Sequence, residues 1–254
     1  VTVVEAAPGT RARPGLEILL VLGLSLGKSA VYSVLSIIEK LTRNVPLNQQ
    51  TTTINNSVVP DRPWLDLAYQ VAAIAFPVVP ALLALYLLHL AGQRSSIGFD
   101  LRRPGRDLAW GFGLAAAIGI PGLLLYFTAR AFDFNTTVEP ANLTAVWWTV
   151  PVLVGLALMN AVLEEVVMIG FFFAKARDLA WPTAVILLAS AVIRGSYHLY
   201  QGWGGFAGNI VMGVVFGLVY LKVRRVMPLV VAHLLLDLFA FVGYSLLAPY
   251  TDLF

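Results

Sequence analysis

The sequence predicts an all-α membrane protein, a bundle of about seven transmembrane helices enclosing a polar intramembrane cavity. Three observations carry this. The chain of 254 residues is 59% hydrophobic and only 12% charged, against about 25% charged in ordinary soluble domains. Runs of roughly 20 apolar residues, the length a bilayer core demands of a helix, recur along the whole chain. A few ionisable residues interrupt those runs. A soluble fold would have to hide every run in one core, and a chain of this size lacks the volume for that.

The first span is expected from about Leu16 to Ile38. A stretch rich in Asn, Gln and Thr, Glu39 to Pro63, reads as a solvated loop. The second span is placed at Asp66 to Ala91, and a basic loop, Arg94 to Arg106, leads to the third at Leu108 to Arg130. A short polar loop, Asp133 to Thr144, precedes a long fourth span, Ala145 to Ala174, whose length implies a tilt or a bend near Pro151. The fifth starts at Pro182 and runs to Tyr200. The Gly-rich Gly202 to Gly208 turns the chain into the sixth, ending near Leu221, and Pro228 opens the seventh, ending near Leu247. The chain is read as a single transmembrane domain, 1–254, with 145–247 as its functional core and 1–144 as three accessory spans.

Of the seventeen Lys and Arg residues, eleven fall on the side of Arg11, Arg13, Arg94 to Arg106, Lys175, Arg177 and Lys222 to Arg225. Four fall on the other (Lys40, Arg43, Arg62 and Arg130), while Lys28 and Arg194 lie inside spans. The positive-inside rule then puts the N-terminus in the cytoplasm and, with seven spans, the C-terminus outside a plasma membrane. Because Arg11 and Arg13 precede a full-length span, the start does not read as a cleavable signal peptide. The sequence pI near 9.3 reflects this loop bias, not nucleic-acid binding. With no cysteine, disulfides and thiolate metal sites are excluded.

Inside the spans lie Lys28, Glu164, Glu165, Arg194, His198, His233 and Asp237. At a helix centre such charges each cost about 2.5 kcal/mol or more and normally face the bundle interior, where they mark function. Glu164 and Glu165 are adjacent and diverge by about 100° around a helix. Arg194 and His198 are four apart and share a face, as do His233 and Asp237; Asn160 precedes Glu164 by one turn. Three helices therefore each offer polar groups to one cavity. Carboxylate with imidazole is the equipment for activating water, and a second histidine with an aspartate suits a metal or a developing oxyanion. The alternative for any one of them is a structural tie between helices. Lys28 is placed equally well in an ion pair or reaching toward the interface, and the Trp and Tyr residues read mainly as belts and packing.

These residues resemble the motifs of the CPBP family of intramembrane proteases, which includes the CAAX prenyl endopeptidase and bacteriocin-immunity proteins. The family's E-E-x-x-x-R reads here Glu164-Glu165-Val166-Val167-Met168-Ile169; its F-x-x-x-H reads Arg194-Gly195-Ser196-Tyr197-His198; its H-x-x-x-N or H-x-x-x-D reads His233-Leu234-Leu235-Leu236-Asp237. The resemblance implies a helical membrane bundle in which Glu164 and His198 activate the attacking water. It gives His233 and Asp237 the stabilisation of the oxyanion or the support of the site. Two positions depart from the pattern: Ile169 replaces the arginine and Arg194 the phenylalanine. We expect the guanidinium to have moved to the neighbouring helix, where Arg194 pairs with Glu165 in bidentate geometry and leaves Glu164 to His198.

Two readings follow. In the first the chain is an intramembrane glutamate (or metallo-) endopeptidase hydrolysing a peptide bond of a membrane-associated substrate. In the second it is a non-enzymatic membrane protein of the same fold, an immunity factor or a subunit of an envelope complex, and the polar cluster is a structural or ligand site. A proton-coupled transporter ranks below both, because no inverted repeat of broken helices is evident. No cofactor is required by the first reading, though a divalent metal such as zinc is compatible with it. The expected partners are membrane lipids and a membrane-embedded peptide or protein substrate, with another membrane protein as partner in a complex under the second reading, and no nucleic acid.

Overall fold

The computed structural model describes residues 13–247. Arg11 and both chain ends, on which the expected orientation partly rests, lie outside them. Ten α-helical segments follow in order: α1 (Pro14–Leu24), α2 (Leu26–Thr42), α3 (Pro63–Leu90), α4 (Pro104–Ala131), α5 (Thr149–Glu164), α6 (Phe172–Asp178), α7 (Thr183–His198), α8 (Trp203–Val223), α9 (Met227–Leu238) and α10 (Tyr244–Leu247). The expected all-α membrane bundle is what the chain forms. Among the described residues five continuous helices are long and apolar enough to cross a membrane: α3, α4, Thr149–Asp178, α8 and Met227–Leu247. The bent pair α1–α2 makes a sixth if counted as one span, whereas α7, at 16 residues, is too short to be counted, so the described residues give five or six spans where about seven were expected.

The first span is bent by 51° between its halves. Around the break the hydroxyl of Ser25 donates to the carbonyl of Val21 at 2.6 Å, and Gly23 and Gly27 flank it. Serine bonding back to the i−4 carbonyl and a pair of glycines are both recognised causes of a helix bend. The bend expected near Pro151 is absent. That proline falls in the first turn of α5, where a missing N–H costs nothing. The irregularity of the fourth span is instead a π-helical stretch, Glu165–Phe171. Of the glycines 202–208, only Gly202 precedes α8; the others lie within it.

The stretch expected to be a solvated loop and the short polar loop before the fourth span both contain structure. Thr51–Asn56 (β1) and Thr137–Asn142 (β2) pair in parallel, Thr51 opposite Thr137 and Asn56 opposite Asn142. Asp66, in the first turn of α3, accepts the backbone N–H groups of Val58 (2.7 Å) and Val59 (3.2 Å), which closes the turn after β1.

Thr149–Asp178 is the central element: 72% of its most apolar window is buried, against 28% for α3 and 11% for α4. Large side chains such as Phe76, Ile120 and Leu124 stay exposed on α3 and α4, as suits faces turned to lipid tails.

Several basic residues counted as loop charges are tied into the protein. Lys175 is buried and pairs with Glu17 at 2.7 Å. Arg225 bonds both oxygens of Asp107, Nε at 2.9 Å and Nη2 at 2.7 Å, and also Asp100 at 3.0 Å. This fastens the α8–α9 turn to the start of α4. The hydrogen bond from the Arg225 side chain, helped by the N–H of Arg102, holds the half-buried Asp100 carboxyl below its ordinary value. A depressed carboxyl contributes stability above its unfolded pKa, about 3.9, and loses it as pH falls through the lower folded value. Asp100→Asn should therefore lose less melting temperature than the parent between pH 6 and pH 3 in detergent. An equal loss would mean that this pair is not what titrates.

Candidate active site

Three helical passages position the polar groups. The central one carries Asn160, Glu164 and Glu165, α7 carries Arg194, Tyr197 and His198, and α9 carries His233 and Asp237. The π-helical stretch begins at Glu165, directly after Glu164. Its wider turn changes the angle between successive side chains, and such turns are frequent at functional sites. The two carboxylates, expected to diverge, leave the helix in different directions but bracket one guanidinium.

That guanidinium is Arg194, 1% exposed. Its Nη2 hydrogen-bonds Glu165 Oε1 and lies 3.9 Å from Glu164 Oε2. The expected Arg194–Glu165 pair is thus formed, but through Nη2 and Oε1 alone and not in the expected bidentate geometry, because Oε1 also faces His233. The slot for Arg194 is built by α8: its guanidinium sits 5.4 Å from the Phe216 ring centre, and a Cβ at Gly213 would lie 2.9 Å from Ala191 Cα and 3.3 Å from Arg194 Cδ. Glycine at 213 is what lets α8 approach this closely.

Glu165 Oε1 also meets Nδ1 of His233 at 2.8 Å. Nε2 of His233 lies 3.7 Å from Asp237 Oδ1, and Asp237 Oδ2 accepts the amide of Asn160 at 3.2 Å. On the other side Glu164 Oε2 accepts the Tyr197 hydroxyl at 2.8 Å and stands 3.8 Å from His198 Nε2. All six expected residues, Glu164, Glu165, Arg194, His198, His233 and Asp237, therefore converge on one connected ionic cluster. His198 approaches Glu164 but is not directly hydrogen-bonded to it. Glu165 Oε2, Arg194 Nη1 and His198 Nδ1 are buried without a hydrogen-bond partner, which is unusual for buried polar atoms and leaves bonding capacity for water or substrate.

Counting residues up from the basic side, upright helices that start level would separate His198 from His233. They do not start level. Met227 and Val226 donate backbone bonds to Gly98 and Ile97, and a Cβ on Gly170 would meet side chains of Ile97 at 3.0 Å and Val226 at 3.4 Å. The start of α9 therefore sits beside Gly170, only five residues past Glu165, and seven residues of α9 raise His233 to the same height.

Glu164, Glu165 and His233 each offer one ligand atom within 4.8 Å of the others, a grouping able to hold a metal ion. Arg194 already bonds Glu165 through Oε1, so a metal here would sit beside a cation built into the chain.

Tyr197 escaped sequence reasoning because a tyrosine in a span reads as packing. So did the fixing of the turn after His198. The backbone of Tyr200 is held from both sides by α2: its N–H donates to Ser33 Oγ at 2.6 Å, and its carbonyl accepts from the buried Lys40 ammonium at 2.5 Å. Lys40 also donates to Thr52 in β1 at 2.6 Å. Lys40→Met should leave that carbonyl and Thr52 short of a donor, a loss of about 1–3 kcal/mol. Faster amide exchange across residues 198–202, with exchange in α4 unchanged, is the expected readout; uniform exchange would refute the clamp.

Residues 146–239 match the Rce1-like family, described as type II CAAX prenyl endopeptidase Rce1-like. The resemblance read from the three motifs is borne out. No curated protein and no solved structure gives a match. The Rce1-like stretch contains every member of the ionic cluster, from Asn160 to Asp237, while α1–α4 and the Ser33–Lys40 clamp precede it.

Proposed function

We propose that the protein is an intramembrane endopeptidase that hydrolyses a peptide bond of a membrane-associated substrate. The carrying observation is the Glu164–His198 pair, 3.8 Å apart within an Rce1-like segment. That separation lets one water touch both groups, the geometry required of a general base and its orienting partner. Glu164 takes a proton from the water as its oxygen attacks the substrate carbonyl. Collapse of the tetrahedral intermediate breaks the C–N bond, and the proton passes from Glu164 to the leaving amine.

Tyr197 fixes the Glu164 oxygen. Glu165 acts through others, holding Arg194 and His233 in place; Arg194 supplies the cation that Ile169 does not. His233 and Asp237, anchored by Asn160, support the site on the face where an oxyanion would be stabilised. These steps need no metal, and a metal held by Glu164, Glu165 and His233 would add Lewis-acid activation of the same water.

The same reading places the chain in a plasma membrane with its N-terminus cytoplasmic and its C-terminus outside, on the eleven-to-four bias of basic residues. The test is proteolysis of a membrane-embedded peptide library by wild type and Glu164→Ala side by side in the same membranes. Products that appear with wild type alone support the reading; identical product sets with both overturn it.

A further inference from the structure

A groove of about 530 Å³ runs along α1 and α2 beside the corner that joins α6 to α7. Apolar side chains line it, among them Ile18, Leu22, Val31 and Trp181, and one cation, Lys28, opens onto it. Lys28 is exposed and meets the Tyr32 ring at 5.9 Å. No carboxylate of the described residues pairs with it.

Its depth makes this notable. The α1–α2 passage and α7 run side by side in the same direction: Gly15 lies against Leu179 at one end, and Ser33 and Lys40 hold Tyr200 at the other. Lys28 is the midpoint of Pro14–Thr42 and lies about 18 Å along the helix from Lys40. Five residues before Ser33, it stands near the level of Arg194 and the ionic cluster. An ammonium facing lipid at that depth is costly.

We propose that this groove docks a membrane-spanning helix of a partner protein that carries an aspartate or glutamate near its midpoint, with Lys28 as its counter-ion. Charge complementarity selects such a helix. A carboxylate at mid-depth is as costly alone as the ammonium, and bringing the two together offsets both while the apolar wall packs against the helix. Gly23 lies on the wall, and a Cβ there would meet nothing within 4 Å, so the groove is open to a closely packed helix. The inference does not depend on proteolysis.

The test uses the full chain in neutral phosphatidylcholine vesicles at pH 8 with fluorescent Leu/Ala model helices whose central residue is Glu, Gln or Lys. Energy transfer reports binding. The Glu helix should bind at least ten-fold more tightly than the Gln helix, and the Lys helix should bind most weakly. Lys28→Gln should erase the preference for Glu, and Gly23→Ala, whose added Cβ meets nothing within 4 Å and narrows the groove, should weaken the Glu and Gln helices alike. Melting temperature in detergent checks that both variants fold. Equal binding of the Glu and Gln helices, or a preference that survives Lys28→Gln, overturns the proposal. So does an anionic phospholipid that co-purifies with the parent, is lost in Lys28→Gln, and accompanies no helix preference, since Lys28 would then serve a lipid.

Discussion

Glu164→Gln should abolish proteolysis while leaving the protein folded. The amide retains the shape of the side chain, and its oxygen can still accept the Tyr197 hydroxyl that now reaches Glu164 Oε2 at 2.8 Å. It cannot take a proton from water. General-base catalysis contributes roughly 10²–10⁴-fold, so cleavage should fall by at least two orders of magnitude. Stability should change little, because the main partner of Arg194 is Glu165, and Glu164 stands 3.9 Å away. The measurement is initial cleavage rate in membranes paired with melting temperature in detergent. Full activity in the variant would move the base elsewhere; loss of folding would make Glu164 a structural tie. His198→Asn should show a similar pattern, since the imidazole touches Glu164 only at 3.8 Å and is not needed to hold the carboxylate in place.

The residues of this site were legible because a bilayer penalises charge. Glu164, Arg194, His233 and Asp237 have no inexpensive place in an apolar run, and four-residue spacing fixes which of them share a helix face. Spacing says less about height. Where α9 begins depends on Ile97, Gly98 and Gly170, which come from separate parts of the chain. Tyr197 was hidden for the opposite reason: a tyrosine is unremarkable in a span until its hydroxyl is seen to meet a carboxylate. Lys40 and Arg225 show the limit of counting charges. Both were assigned to loops, and both are buried ties, because composition does not distinguish a solvated cation from one that carbonyls or carboxylates will enclose. The β1–β2 pair joins residues 86 positions apart, Thr51 to Thr137, and no local pattern in two short polar segments announces so distant a partner. The π-helical stretch at Glu165 likewise has no sequence signature of the kind that proline or glycine provides for a bend.

Arg194→Leu should be the most destabilising substitution at the site. The guanidinium is 1% exposed and is the cation nearest both Glu165 and Glu164. Leucine fills much of the volume beside Phe216 but leaves the fully buried Glu165 carboxylate with only His233 as a partner. Removing one member of a buried pair costs about 3–5 kcal/mol, because the remaining charge is stranded. The substitution also tests why Ile169 is tolerated where the family pattern has arginine. Ile169 lies four residues past Glu165 in the same stretch and is completely buried. Helical side chains lean toward the N-terminus, so an arginine at 169 would extend back toward Glu165. Ser190, one turn before Arg194, already bonds the neighbouring Met168 carbonyl at 3.1 Å, which places α7 against this part of the central passage. The double variant Arg194→Phe with Ile169→Arg should therefore return the cation to the first helix and regain most of the lost stability, whereas Arg194→Phe alone should not. Melting temperatures of the three variants in one detergent decide the matter. A neutral Arg194→Leu would mean that Glu165 needs no cation. A double variant no better than Arg194→Phe would mean that the two positions are not exchangeable sites for one charge.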